Sequence, residues 1–347
     1  MYTNEDKTWD ILRVTIGVSI GLMISKYTTM AFNFQVPTMA ASLVLGTDKV
    51  TVKKVIKSYW WLVGFAALGL LCGEVFRNNK PAMAVVTFGF IFTAFFFTHI
   101  NPNGIRSAVL GYSFTTVYAT YTDKNVETMV GDLVIVVIIG GLLGWAMLTI
   151  FPKKIENKKI PVGVKPQREH IHKNITNTLL VSIIIFLIWG SFMIFNIRGA
   201  FFAYATLAGI YGNLSLEKIH KLSPLNIAIH VCGCFIAIVF SFLMDGRSLA
   251  PAVFFMGLML LFYPIVYMGV YGDSPKKRAF FMGLVRAIIL PIALYMTPDG
   301  DIVQQASARA IQISLMVMGS MVITRILLKL QEVNSNGKNT GNNRENQ

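Results

Sequence analysis

The sequence predicts an all-α polytopic membrane protein with about 12 transmembrane helices, arranged as two parallel six-helix repeats. Three observations carry this reading: an apolar composition, a series of apolar stretches of membrane-spanning length, and lysines that cluster in alternate loops. Of the 347 residues, 54% are hydrophobic and 14% charged, and the mean hydropathy is +0.58. A soluble domain carries about a quarter charged residues. A bilayer core of roughly 30 Å needs about 20 apolar residues per helix and leaves no backbone group unpaired, so each such stretch must be helical.

In chain order the helices are expected at about 11–34, 35–47, 59–76, 81–99, 104–121, 130–151, 176–195, 197–213, 225–244, 249–271, 278–296 and 306–328. The polar start Met1 to Asp10 leads into an apolar stretch too long for a cleaved leader, so the first helix is expected to stay. One side of the predicted topology collects Lys49, Lys53, Lys54 and Lys57, then Arg106, the run from Lys153 to Lys173, and Lys218, Lys221, Lys276, Lys277 and Arg278. By this topology about 23 of the 31 basic residues share that side, which the positive-inside rule makes cytoplasmic. Both termini then face the cytoplasm. The formal charge of +14 therefore belongs to loops at a membrane surface, and no nucleic-acid partner is expected.

Four segments follow. Residues 1–151 form the first six-helix repeat, 152–175 a basic cytoplasmic linker with Pro152, Pro161 and Pro166, 176–330 the second repeat, and 331–347 an Asn-rich cytoplasmic tail expected to be disordered. The repeats align at three places. The cytoplasmic stretch from Val50 matches that from Leu214, Lys80-Pro81-Ala82 matches Ala250-Pro251-Ala252, and the segment ending at Gly111 matches the one ending at Gly283, pairing Arg106 with Arg278. The offset drifts from about 164 to about 172 residues, as small loop insertions produce. Because each half holds six helices, both enter from the same side and an axis along the membrane normal relates them, with a path between them.

No metalloprotease, nucleophile-elbow or P-loop motif is present, so no catalytic activity, cofactor or metal is expected. Cys72, Cys232 and Cys234 lie in apolar stretches and read as packing residues, and His230 as a structural or interfacial histidine. The informative residues are ionisable groups inside helices, which are costly unless paired or hydrated. Arg286 lies eight residues after Arg278, about 12 Å deeper and close to the midplane. An anion contact and a bond to carbonyls freed near Pro291 both fit it. Lys26 stands halfway along the first predicted helix and reads equally as a functional cation or one that snorkels outward. Arg13, near the cytoplasmic end of that helix, reads as an anchor or an anion-recruiting group, and Arg106 as a second cation at the cytoplasmic mouth. Glu74 is a proton-coupling candidate whose alternative is a local pair with Arg77. Asp132, a second coupling candidate, occupies the place in its half that Arg309 occupies in the other, where an opposite-charge pair across the axis is expected.

The second and eighth predicted helices are short, and the second carries Pro37 after Asn33 and Gln35. Short or interrupted segments at corresponding places in two repeats point to a transport site. In the fifth helix Ser113, Thr116 and Thr120 form a polar stripe, which either lines a path or packs against a neighbouring helix. The GxxxG pairs Gly17/Gly21, Gly69/Gly73 and Gly140/Gly144 read as close helix packing.

The opening ILRVTIGVSIGLMI with Arg13 at its head, the short second helix, the basic loop and the half ending GGLLGWAMLTIFP at Pro152 resemble the fusaric acid resistance and aromatic acid exporter superfamily, in its compact bacterial branch of unknown function. The resemblance implies export of aromatic or other organic acids across the inner membrane, with a periplasmic membrane-fusion-type adaptor as a partner. Together with the residues it makes the chain an exporter of small organic anions, driven by membrane potential or proton gradient. Substrate is attracted by Arg13 and Arg106, held by Arg286 with Lys26, Gln35, Ser113 and Thr116 as further contacts, and coupled through Glu74 or Asp132. Two alternatives stand beside it, an anion channel and a non-translocating membrane subunit of an efflux complex. A homo-oligomer fits each of them.

Overall fold

The computed structural model describes residues 4–28, 30, 32–46, 52–97, 102–121, 126–151, 175–195, 216–244, 250–296 and 301–342. Among them every regular element is an α-helix: α1 (Asn4–Tyr27), α2 (Gln35–Gly46), α3 (Val52–Val75), α4 (Lys80–Phe96), α5 (Pro102–Tyr121), α6 (Val126–Ile150), α7 (Ile175–Phe195), α8 (Leu216–Leu243), α9 (Pro251–Tyr271), α10 (Pro275–Tyr295) and α11 (Ile302–Asn342). Six of these, α1, α6, α8, α9, α10 and α11, are long and apolar enough to cross a membrane, and α3, α4 and α7 hold shorter apolar stretches. The chain is a multi-pass helical membrane protein. The linker at 152–174 and the helix expected at 197–213 lie outside the described residues.

Helix starts follow local chemistry. Pro81 and Pro275 sit in the first turns of α4 and α10, where a missing N–H costs nothing. The side chains of Asn79 and Ser274 accept from the backbone N–H of Ala82 and Lys277 at 3.1 and 3.2 Å.

Several boundaries differ from the sequence expectation. α1 stops at Tyr27 instead of near residue 34, because Asn33 closes it: its Nδ2 donates to the carbonyls of Ser25 and Thr28 at 2.8 and 3.3 Å. Phe32 then turns the chain with φ at 63°, a left-handed conformation that a bulky residue adopts only when held. Its ring is buried and stands 5.1 Å from that of Tyr118. α3 and α8 begin earlier than expected and draw Lys53, Lys54, Lys57, Lys218 and Lys221 into helix. α11 runs on to Asn342, into the tail expected to be disordered. Once a helix is nucleated, each further residue adds a backbone hydrogen bond, and no proline interrupts this stretch.

Glycines set the closest crossings. A Cβ at Gly73 on α3 would lie 2.7 Å from the Ala119 Cβ on α5, and one at Gly69 would run into the Tyr112 carbonyl and the Thr115 hydroxyl. On the α8–α10 crossing, a Cβ at Gly233 would lie 2.5 Å from that of Ala287, and one at Gly283 would lie 2.7 Å from Ile229. Gly17 and Gly21 bring α1 against Met147 of α6 and Pro37 of α2.

Two helices tie the fold together. α1 packs on α2 and α6 and also on α9 and α10, while α7 packs on α4 and α5. α1 runs antiparallel to α9, with the Lys7 ammonium 4.6 Å from the Tyr271 ring centre and the Lys26 ammonium 4.4 Å from that of Phe254. One apolar core, around Val18, Leu22, Phe254 and Ile288, joins α1 to α8, α9 and α10. A second, around Phe95, Tyr112, Val181, Trp189 and Ile313, joins α3, α4, α5, α7 and α11.

Candidate site at an intramembrane crevice

An α1 that starts at Asn4 reverses the depth of its two cations. Arg13 stands about 14 Å along the axis from the helix start and is 1% exposed, whereas Lys26 falls in the last turn. Arg13 is thus the deep cation and Lys26 the interfacial one, opposite to the expectation from a helix at 11–34. Arg13 forms an ion pair with Asp10 one turn earlier, and its Nε donates to the Trp9 carbonyl at 3.3 Å. A charge so buried is tolerable only when paired and hydrogen-bonded. Lys26 caps its charge on the Phe254 ring.

Arg286 lies about 16 Å from the start of α10. Its side chain is exposed, between the buried Val285 and Ala287. The charge acts on Tyr59 of α3, whose phenol is buried and donates to the Met39 carbonyl on α2 at 3.1 Å. α2 also packs on α10. The candidate site therefore lies where α2, α3 and α10 come together, and Gln35, half-buried at the head of α2, stands one turn before Met39. α2 is short. Its 12 residues span about 18 Å, well short of the roughly 30 Å of a bilayer core.

Tyr59 was not foreseen. It opens the run Tyr59-Trp60-Trp61, which reads as an interfacial belt if the helix begins there. The early start of α3 carries it inward instead.

The polar stripe on α5 is not brought to Arg286. The Thr116 hydroxyl donates to the Tyr112 carbonyl at 2.7 Å, that of Thr120 donates to the Val117 carbonyl at 2.6 Å, and Ser113 is fully buried. The Tyr112 phenol donates to Cys72 Sγ at 3.0 Å, so these residues belong to a packed interior. Arg106 lies in the first turns of α5, with its side chain outside the described residues. Glu74 is exposed and forms no side-chain pair with Arg77; the α3 terminus leaves only a backbone bond, from the Arg77 N–H to the Glu74 carbonyl at 3.3 Å.

Asp132 is half-buried on α6. Arg309, 1% exposed on α11, has Tyr295, Cys234 and His230 among its electrostatic neighbours. α6 packs chiefly on α1, α2 and α3 and α11 on α8 and α10, which gives the pair expected across the axis no support. His230 stands beside a buried arginine, a setting the sequence did not reveal. Among the described residues no group of three His, Cys, Asp or Glu side chains can hold a metal ion, and the three cysteines are free thiols. An apolar groove of about 830 Å³, lined by Met244, Val253, Met256, Leu260 and Tyr263, contains none of the cations.

Residues 10–150 match the family described as "Protein of unknown function (DUF2955)". That match covers Arg13, Lys26, Gln35, Tyr59 and Asp132, and leaves Arg286 and Arg309 outside it. It makes no connection to the fusaric acid resistance and aromatic acid exporter superfamily. No curated protein and no solved structure matches the chain.

Within the matched residues 10–150, α1 carries one more feature. Thr15 and Ser19, both 0% exposed, have hydroxyls with no hydrogen-bond partner, as does Ser25. A buried hydroxyl left so costs about 1–3 kcal/mol. Elsewhere such groups bond back to a carbonyl one turn earlier, as Thr38 does to Phe34, Ser182 to Thr178, Ser314 to Ala310 and Thr324 to Ser320.

Proposed function

We propose that the protein is an inner-membrane exporter of small organic anions, aromatic acids among them. The observation that carries this is Arg286: an exposed cation at mid-helix depth, whose charge acts on Tyr59 where α3 meets the short α2. A guanidinium there can grip a carboxylate through two parallel bonds, and the phenol offers a neutral neighbour. The buried charges support an anion, since Arg13 and Arg309 are both enclosed and Lys26 sits on the α1–α9 seam. At a membrane potential near 150 mV, one negative charge leaving the cell gains roughly 3.5 kcal/mol, enough for a gradient of several hundredfold without proton coupling.

A two-repeat architecture with both termini in the cytoplasm belongs to the same proposal. Its support is reciprocal packing, in which α1 lies on α9 and α7 on α4. The glycine crossings support it too. Gly69 on Thr115 and Gly233 on Ala287 are related by the same shifts of about 164 and 172 residues that align the sequence. A periplasmic adaptor of the membrane-fusion type fits as the partner that carries released anions onward.

The test is flux of labelled benzoate and aliphatic acids by purified protein in liposomes, normalised to folded protein. Wild type should transport saturably, Arg286→Lys should transport weakly and Arg286→Gln hardly at all. Normal flux per folded molecule in Arg286→Gln would refute the role of Arg286. Conductance of ion-channel size in planar bilayers would replace carrier by channel.

A further inference from the structure

The unpartnered hydroxyls of α1 mark a second place for the anion. Residues two apart on a helix point about 200° apart. Gly17 lies midway between Thr15 and Ser19 in sequence and faces Met147 of α6, so both hydroxyl residues lie on the opposite side, one turn apart. Lys26, seven residues after Ser19, shares that side, and its ammonium stands over Phe254 of α9. The pair thus faces the seam between α1 and α9. Ser25 lies nearer the Gly21 side, which abuts Pro37 of α2, and is not part of it.

The same arrangement recurs on α7, where Thr178 and Ser182 repeat the spacing of Thr15 and Ser19. There Ser182 donates to the Thr178 carbonyl at 2.7 Å, which demonstrates that the spacing permits closure onto the helix's own backbone. On α1 neither hydroxyl does so, although both are fully buried. Donors held away from an available acceptor suit a ligand that supplies its own.

The charge around them decides the sign of that ligand. Lys26 is on the same side and Arg286 on α10, which also packs on α1, while Arg13, four residues before Gly17, lies on the Gly17 side. Asp10 on the same helix is paired with Arg13. A cation is repelled there and an anion attracted. Two O–H donors one turn apart, with Cβ atoms about 5–6 Å from each other, reach the two oxygens of one carboxylate.

We propose that Thr15 and Ser19 form an anion subsite on the α1–α9 seam that holds the carboxylate of the transported acid. The proposal deepens the exporter reading and rests on it. The test uses full-length purified protein with sodium benzoate as the probe, against a bulky sulfonate salt at equal ionic strength. Benzoate should raise the melting temperature of the wild type. In Thr15→Val/Ser19→Ala its apparent affinity should fall about tenfold or more, while the ligand-free melting temperature equals or exceeds that of wild type. Unchanged benzoate affinity in the double variant overturns the subsite and leaves a bridging water as the occupant, and so does a wild type that benzoate never stabilises. Liposome flux separates the two readings. Hydroxyl-dependent stabilisation without flux keeps the subsite and removes the exporter; flux and affinity that both ignore the hydroxyls do the reverse.

Discussion

α1 and α7 carry the same spacing, Thr15–Ser19–Lys26 on one and Thr178–Ser182–Trp189 on the other, and each joins a helix that follows an alanine or lysine with proline, α9 or α4. Their seams are built of opposite chemistry. On α7 the Trp189 ring stacks on Phe186 at 5.7 Å, Phe186 meets Phe88 of α4 edge-on at 5.3 Å, and Ser182 is closed onto its own backbone. On α1 two lysines lie over aromatic rings of α9, an arginine is buried, and two hydroxyls are open. The aromatic seam contributes stability through buried area and ring contacts. The two open hydroxyls of the cationic seam cost stability, and that is the expected mark of a working surface. One packing scheme therefore serves as scaffold in one place and as candidate machinery in the other.

Truncating the matching residues of the two seams should give the largest difference. Trp189→Ala empties a site that is 2% exposed and should cost about 3–5 kcal/mol. Lys26→Ala loses a cation–π contact and should cost about 1 kcal/mol. Equilibrium unfolding in detergent measures both, and equal losses would erase the distinction between scaffold and machinery. Features common to both crossings should respond alike: Gly69→Val and Gly233→Val each force a side chain into a neighbouring helix and should destabilise by about 1–3 kcal/mol. A cost at one glycine and none at the other breaks the equivalence of the α3–α5 and α8–α10 crossings. The smallest effect separates the two serines. Ser182→Ala forfeits a hydrogen bond of about 0.5–1.5 kcal/mol, whereas Ser19→Ala removes an unsatisfied group and should be neutral or stabilising. A loss at Ser19 as large as that at Ser182 contradicts the open state of the α1 hydroxyls.

Sequence reading picks out candidate residues where a residue's cost in a membrane depends on little but its type. Arg286 stands out because a guanidinium in an apolar stretch is expensive wherever the neighbours lie, and Pro37 beside Gln35 flagged the short α2. It failed where helix boundaries set depth. Moving the start of α1 by seven residues shifts every side chain about 10 Å along the axis, which exchanges the roles of Arg13 and Lys26, and the early start of α3 hides Tyr59 in the same way. For Asp132 and Arg309, matching positions in a repeat do not say which helices touch, and α6 and α11 have their main packing on different neighbours.

Apolar content and stretch length by themselves determined that the chain is helical and membrane-spanning, because a bilayer accepts so few backbone solutions. The glycine pairs foretold close crossings for the same reason, since only a missing Cβ lets two backbones approach. Which side chains share a space was decided by the tertiary structure alone. Tyr59 meets Arg286, Tyr295 meets Arg309 and Lys26 meets Phe254 across helices far apart in sequence. The rotation and offset of one helix against another depend on all of their packed neighbours at once.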